Sequence, residues 1–125
     1  MGNCCRNKNY IEPEIEKCQN INDLQNVVEI KKNSLIKERE NYQINNFESE
    51  RSDKLFLDNI NTSINKSLEQ YDRLANLLMK YEKKIKNLFK IKKLVNNICN
   101  FGQEKDYASM KYIIDDIENY CITHY

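Results

Sequence analysis

Residues 57–99 read "LDNINTSINKSLEQYDRLANLLMKYEKKIKNLFKIKKLVNNIC", and their spacing decides the fold. With Leu57 as heptad position a, the a and d sites are Leu57, Ile60, Ile64, Ser67, Tyr71, Leu74, Leu78, Tyr81, Ile85, Leu88, Lys92, Val95 and Cys99. Eleven of these thirteen are apolar or Cys, a repeat sustained for six heptads and the mark of a helix seated in a coiled-coil-like seam. Leu68, Ala75, Leu77, Phe89, Ile91 and Ile98 broaden the stripe on both flanks. A two-helix seam needs less width, so the pattern predicts more than one packed neighbour. One helix is expected over residues 54–100, roughly 70 Å long at about 1.5 Å per residue. Lys92, polar at an a site, marks a place for a bend or for solvent exposure.

The flanking segments supply the neighbours. Pro13 fits the first turn of a helix, where its missing N–H costs nothing, and Glu14 and Glu16 complement the positive end of the dipole. Ile15, Cys18, Ile21, Leu24, Val28, Leu35 and Tyr42 then recur at threes, fours and sevens, predicting a first helix over 13–45. Lys31 and Glu38 interrupt that stripe with charge. "NNFESERSD" at 45–53 reads as a connection, and Gly102 in "CNFGQEKD" as the C′ glycine ending the second helix. A third helix is expected over 104–123, with Met110, Ile113, Ile114, Ile117, Tyr120 and Cys121 inward. Short connections make neighbours antiparallel. The expected fold is therefore all-α: an elongated antiparallel helical hairpin or three-helix bundle over residues 13–125, preceded by a flexible arm at 1–12.

Composition agrees and removes several functions. Leu, Ile, Val and Phe make up 32 of 125 residues, enough for one domain with a thin core at a mean hydropathy of −0.82. Charged residues are 31 % of the chain but the formal net charge is only +1, which argues against general nucleic-acid binding. Two glycines and one proline are too few for a turn-rich β-sandwich or a loop-built active site. No run of 18 apolar residues predicts a transmembrane helix, and the polar stretch after Met1 lacks the apolar region of a signal peptide. A reducing cytosol is implied, so Cys4, Cys5, Cys18, Cys99 and Cys121 are expected as thiols. His124, the sole histidine, sits next to the last residue, and there is no glycine-rich phosphate loop, G-x-S-x-G, H-E-x-x-H or C-x-x-C. No catalytic, cofactor-binding or metal-binding residue is expected, no small-molecule substrate and no enzyme.

The functional signal lies in residues 1–10, "MGNCCRNKNY". Once Met1 is removed, Gly2 presents the unhindered α-amine that N-myristoyltransferase acylates, although the usual M-G-x-x-x-[ST] pattern has Arg6 at its sixth place. A lone myristoyl chain holds a bilayer only weakly, at about 10⁴ M⁻¹, so stable residence needs a second signal. Cys4 and Cys5 supply it as S-palmitoylation candidates, with Arg6 and Lys8 as cationic neighbours. The stretch resembles the myristoyl-plus-palmitoyl anchors of Src-family kinases, G-protein α subunits and the pellicle (inner membrane complex) proteins of apicomplexan parasites. That resemblance covers residues 1 to about 8 and concerns the anchor, not the helical body.

A further basic stretch, "KYEKKIKNLFKIKK", sets Lys80, Lys83, Lys84, Lys86, Lys90, Lys92 and Lys93 against only Glu82. Each lysine beside an anionic leaflet is worth about 1 kcal/mol. The alternative is a solvated face partly neutralised by Asp115, Asp116 and Glu118 of the third helix. The expected protein is a lipid-anchored peripheral adaptor or scaffold at a cytosolic membrane face, plasma membrane or pellicle, docking an unknown protein partner. The competing expectation is a self-associating coiled-coil subunit of a cytoskeletal or vesicle-tethering assembly.

Overall fold

The computed structural model describes the backbone of residues 10–45 and 51–123, and the side chains of residues 10–42 and 55–123. The chain is an all-α helical bundle, with no strand among the described residues. A single turn, α1 (Pro13–Glu16), precedes α2 (Ile21–Asn45), α3 (Arg51–Lys80), α4 (Leu88–Gln103) and α5 (Tyr107–Thr123). α2 packs on α3 and α4 on α5; α3 also lies beside α5, and α2 beside α4.

Cross-links give the directions. Lys32 meets Asp72 at 2.5 Å and Arg39 donates to Asn65 at 2.6 Å, so α2 and α3 run antiparallel and keep a seven-residue repeat. Lys66 stands over the Tyr107 ring, and Arg73 bonds Asp115 and Glu118, so α5 runs alongside α3 in the same direction. The bundle is thus two antiparallel hairpins laid together, with α3 and α4 facing each other across the core.

The two longest expected helices are each broken. The first is cut at residues 17–20, where Asn20 Oδ1 accepts from the Asp23 N–H at 2.8 Å and the Gln19 N–H donates to Asp23 Oδ2 at 2.9 Å. This reciprocal cap starts a new helix at Ile21. The expected helix over 54–100 ends at Lys80 and resumes at Leu88. Lys80, Lys83, Lys84 and Lys86 would face one another at three- and four-residue spacings on a continuous helix, which disfavours it. Asn87 then caps α4, its side chain accepting from the Lys90 N–H.

The seam largely continues across the break. In α3 the buried residues Ile64, Ser67, Tyr71, Leu74 and Leu78 occupy the expected a and d sites. In α4 the buried residues are Ile91, Val95, Asn96, Ile98, Cys99 and Gly102: Val95 and Cys99 hold their expected d and a sites, and Ile91 and Ile98 from the flank are buried where Lys92 is not. Lys92 is half-buried, its ammonium turned to the Glu16 carbonyl, and no bend forms there. Of the expected stripes of the other helices, Leu24, Val28 and Leu35 on α2 and Met110, Ile114, Ile117 and Cys121 on α5 are buried, while Tyr42, Ile113 and Tyr120 are only partly so.

Gly102 does not end α4. It lies inside the helix without a positive φ, and the left-handed residue is Lys105, at φ 59°. The Asp106 N–H bonds the Phe101 carbonyl and the Lys105 N–H that of Gly102, a Schellman closure with lysine in the usual glycine position. Lys105 is tied there to Glu38 of α2. Asp106 then opens α5 by accepting from both the Ser109 N–H and its hydroxyl. Gly102 instead makes room for Tyr71, since a Cβ there would stand 2.7 Å from Tyr71 Cζ and nearer still to its hydroxyl.

Gly102→Ala normally stabilises a helix interior by about 1 kcal/mol. Here it should destabilise by about 2 kcal/mol through overpacking, and Tyr71→Phe should recover part of the loss. Urea denaturation of the two single variants and the double variant reads this coupling.

Candidate functional site

Gly2, Cys4, Cys5, Arg6 and Lys8 lie outside the described residues. What the structure does describe is the segment that follows them and the surface where the remaining basic residues meet.

The segment from Tyr10 to Cys18 is strapped onto the bundle. Asn96 of α4, 1 % exposed, grips it at two points: the Glu12 N–H donates to Asn96 Oδ1 at 2.9 Å, and Asn96 Nδ2 donates to the Tyr10 carbonyl at 3.1 Å. Lys31, the charge that interrupts the α2 stripe, bonds Glu12 at 3.1 Å and Glu14 at 2.6 Å. Burial pulls the Lys31 ammonium down, but its bonds to Glu14 and Glu12 outweigh that and raise it overall. The bond from Lys31 likewise lowers the Glu14 carboxyl. Lys92 Nζ donates to the Glu16 carbonyl at 2.7 Å. Between these ties Ile15 is fully buried and Cys18 nearly so. Residues 10–12, expected in a flexible arm, are therefore fixed.

The basic stretch gathers at one end of the bundle. Lys80 closes α3, Lys83 and Lys84 sit in the turn, Lys86 precedes the Asn87 cap, and Lys90 and Lys93 lie on the first turns of α4. All but Lys93 are exposed. Lys80 stands over the Tyr81 ring, Lys90 over Tyr120 and Lys93 over Phe89, at 5.4, 5.1 and 5.4 Å. The acids expected to neutralise them are mostly engaged elsewhere. Asp115 bonds Arg73 at 2.5 Å and Lys111 at 3.2 Å, and Glu118 bonds Arg73 at 2.9 Å. Arg73 is the main reason the Asp115 carboxyl lies below its ordinary range. Asp116 shares a surface hollow with Lys90, Leu94 and Tyr120, and Glu118 borders one with Lys80 and Arg73. Lys80, Lys83, Lys84, Lys86 and Lys90 make no ion pair among the described residues.

The remaining cysteines are core side chains. Cys18, Cys99 and Cys121 are free thiols, all buried. Burial pushes Cys99 up to about 12, and the neighbouring Tyr71 is raised above its ordinary value for the same reason. Burial likewise raises Cys18 and Cys121. Such thiols are poor nucleophiles. Among the described residues no group of three or more His, Cys, Asp or Glu is arranged to hold a metal ion.

These features define a small bundle with a strapped N-terminal segment and one lysine-rich end. Comparison of the chain with family models, with curated proteins and with solved structures gives no match.

Sequence reasoning missed Asn96 and Arg73. Both are polar residues whose roles depend on partners 84 and 42 or more positions away. Asn96→Ala leaves the Glu12 N–H and Tyr10 carbonyl without their partner, at a cost of about 1–3 kcal/mol. Trypsin should then cut after Lys17 roughly tenfold faster, while the α3–α5 contacts keep their hydrogen-exchange protection.

Alkaline stability follows from Cys99 and Tyr71. Both are held neutral in the fold, with values above those of the unfolded chain, so their contribution is complete below about pH 9 and is lost as pH rises toward 12. The urea midpoint should be level from pH 7 to 8 and fall above 9. Cys99→Ala should flatten the first part of that fall.

Proposed function

We propose that this chain is a non-catalytic peripheral membrane adaptor or scaffold. It is tethered to a cytosolic membrane face, at the plasma membrane or a pellicle-like inner membrane, through N-myristoylated Gly2 and S-palmitoylated Cys4 and Cys5. The observation that carries this reading is the start Met-Gly-Asn-Cys-Cys, followed by Arg6 and Lys8. Two kinds of acyl chain give the stable attachment that one myristoyl chain cannot. No helix among the described residues is long and apolar enough to cross a membrane.

The strap supports the reading mechanically. An anchor transmits force only if the chain beyond it is joined to the folded body, and Asn96, Lys31 and Lys92 make that joint within seven residues, from Tyr10 to Glu16. The competing role, self-association through the heptad seam, loses support because Ile64, Tyr71, Leu74 and Leu78 are already buried within the chain. A protein partner is met by the outer faces of the helices instead.

Intact-mass analysis and membrane fractionation of the native protein, beside Gly2→Ala and Cys4→Ser/Cys5→Ser variants, test the proposal. The expected masses carry one myristoyl group and one or two palmitoyl groups. Gly2→Ala should be wholly soluble, and the cysteine variant should carry myristate but wash off membranes. An unmodified native protein in the soluble fraction sinks the reading.

A further inference from the structure

We infer that the lysine-rich end of the bundle is itself a docking surface for an anionic phospholipid bilayer, with Phe89 and Met79 entering the headgroup layer between lysines. This deepens the membrane reading above, and rests on it for the choice of a bilayer as partner, but it does not depend on acylation.

Charge distribution is the first ground. Residues 80–93 hold seven lysines and one glutamate, a net +6 in a chain of net +1, which leaves −5 on the other 111 residues. The molecule is therefore strongly polarised despite its near-neutral total. Glu82, Asp116 and, beside Lys92, Glu16 remain to offset it, while Asp115 and Glu118 are held by Arg73, Glu118 bordering the same hollow as Lys80. The N-terminal end of the α4 dipole adds positive potential at the same corner.

Apolar exposure is the second ground. Met79, Phe89 and Ile122 are 64, 59 and 59 % exposed. α3 ends, α4 begins and α5 ends at this side of the bundle, because α5 runs alongside α3 and α4 returns against it. Three large apolar side chains thus stand in water at the end where the lysines collect. Lys93 lies over the Phe89 ring and Lys80 follows Met79 directly in sequence. Lysines around exposed Phe and Met match a bilayer interface, where ammonium groups meet phosphates and apolar side chains reach the acyl boundary. A nucleic-acid surface has no use for Met79 or Ile122.

The test uses the full chain produced without N-myristoyltransferase, so that no acyl chain contributes. Against vesicles of phosphatidylcholine with 30 % phosphatidylserine, in about 100 mM salt, the protein should co-sediment; against pure phosphatidylcholine it should not. Lys83→Glu/Lys84→Glu/Lys86→Glu, on exposed side chains, should weaken binding by about a hundredfold or more, from roughly fivefold per lysine. The chain has no tryptophan, so Phe89→Trp places a single reporter. Its emission should shift to the blue and be quenched by brominated acyl chains on binding, whereas Tyr112→Trp, on α5 well away from this end, should not respond.

Equal binding to neutral vesicles, unchanged binding by the triple variant, an unresponsive Phe89→Trp, or binding to RNA in place of vesicles would each overturn the proposal. Because acylation is excluded, its failure is separate from failure of the anchor. An acylated native protein whose unacylated form ignores anionic vesicles refutes only the surface. An unacylated native protein whose body binds them refutes only the anchor.

Discussion

The approach of Tyr71 to Gly102 is the contact on which the arrangement of the bundle depends. Tyr71 projects from the middle of α3 across the core, 2 % exposed, into a place on α4 where any Cβ would collide with it. Cys99, one turn earlier on α4, lies beside its hydroxyl. A large aromatic ring therefore bridges the two diagonal helices and fixes the height of α4 relative to α3. For residue 102 to come level with residue 71, the chain must reverse soon after Lys80. The turn at 81–87 follows from that geometry as much as from the lysines that occupy it.

The charges set into the apolar stripes have a common explanation. Lys31 and Glu38 interrupt the α2 seam at positions a simple hairpin would fill with leucine. Each faces a segment that lacks a long helix of its own to hold it: Lys31 binds Glu12 and Glu14 of the N-terminal strap, and Glu38 binds Lys105 in the α4–α5 turn. Lys92 does the same from α4, giving its ammonium to the Glu16 carbonyl. Such half-buried contacts add little net stability, since desolvation offsets much of the attraction. Their effect is on register, because a slip of either segment would strand a charge.

The fold class and the inward faces of the helices were legible in the spacing of Ile, Leu, Val and Cys, because burial alone sets that period. The break at 81–87 was not, and the reason is specific. Tyr81, Ile85 and Leu88 keep the heptad spacing through the turn, and all three pack against the core although residues 81–87 are not helical. Periodicity reports which side chains are inward, and here inward side chains persist where the helix does not. The local signals were Asn87 before Leu88 and like charges at helical spacing. In a chain with 19 asparagines, one capping asparagine does not stand out, and neither does Asn96. The candidate basic surface was readable as a run of lysines, but its electrostatic state was not. Which acids remain near it depends on Arg73, whose pairing with Asp115 and Glu118 exists only once α5 lies along α3.

The strap and the lysine-rich end bear on each other through length. Asn96 holds Tyr10 about eight residues up α4 from Leu88, roughly 12 Å at the helical rise. The nine residues before Tyr10 span at most about 30 Å when extended. A Gly2 acylated as proposed would thus be within reach of the plane defined by Lys83, Lys86 and Phe89. If both contacts form, the short span between them admits few orientations of the bundle, so the second attachment is made at high effective concentration. A longer unstrapped arm would give the same two contacts with a weaker preference for orientation. If Gly2 is acylated as proposed, fixing residues 10–16 to α4 does more than finish the core: it would shorten the tether to a length at which lipid anchor and lysine surface engage one membrane together.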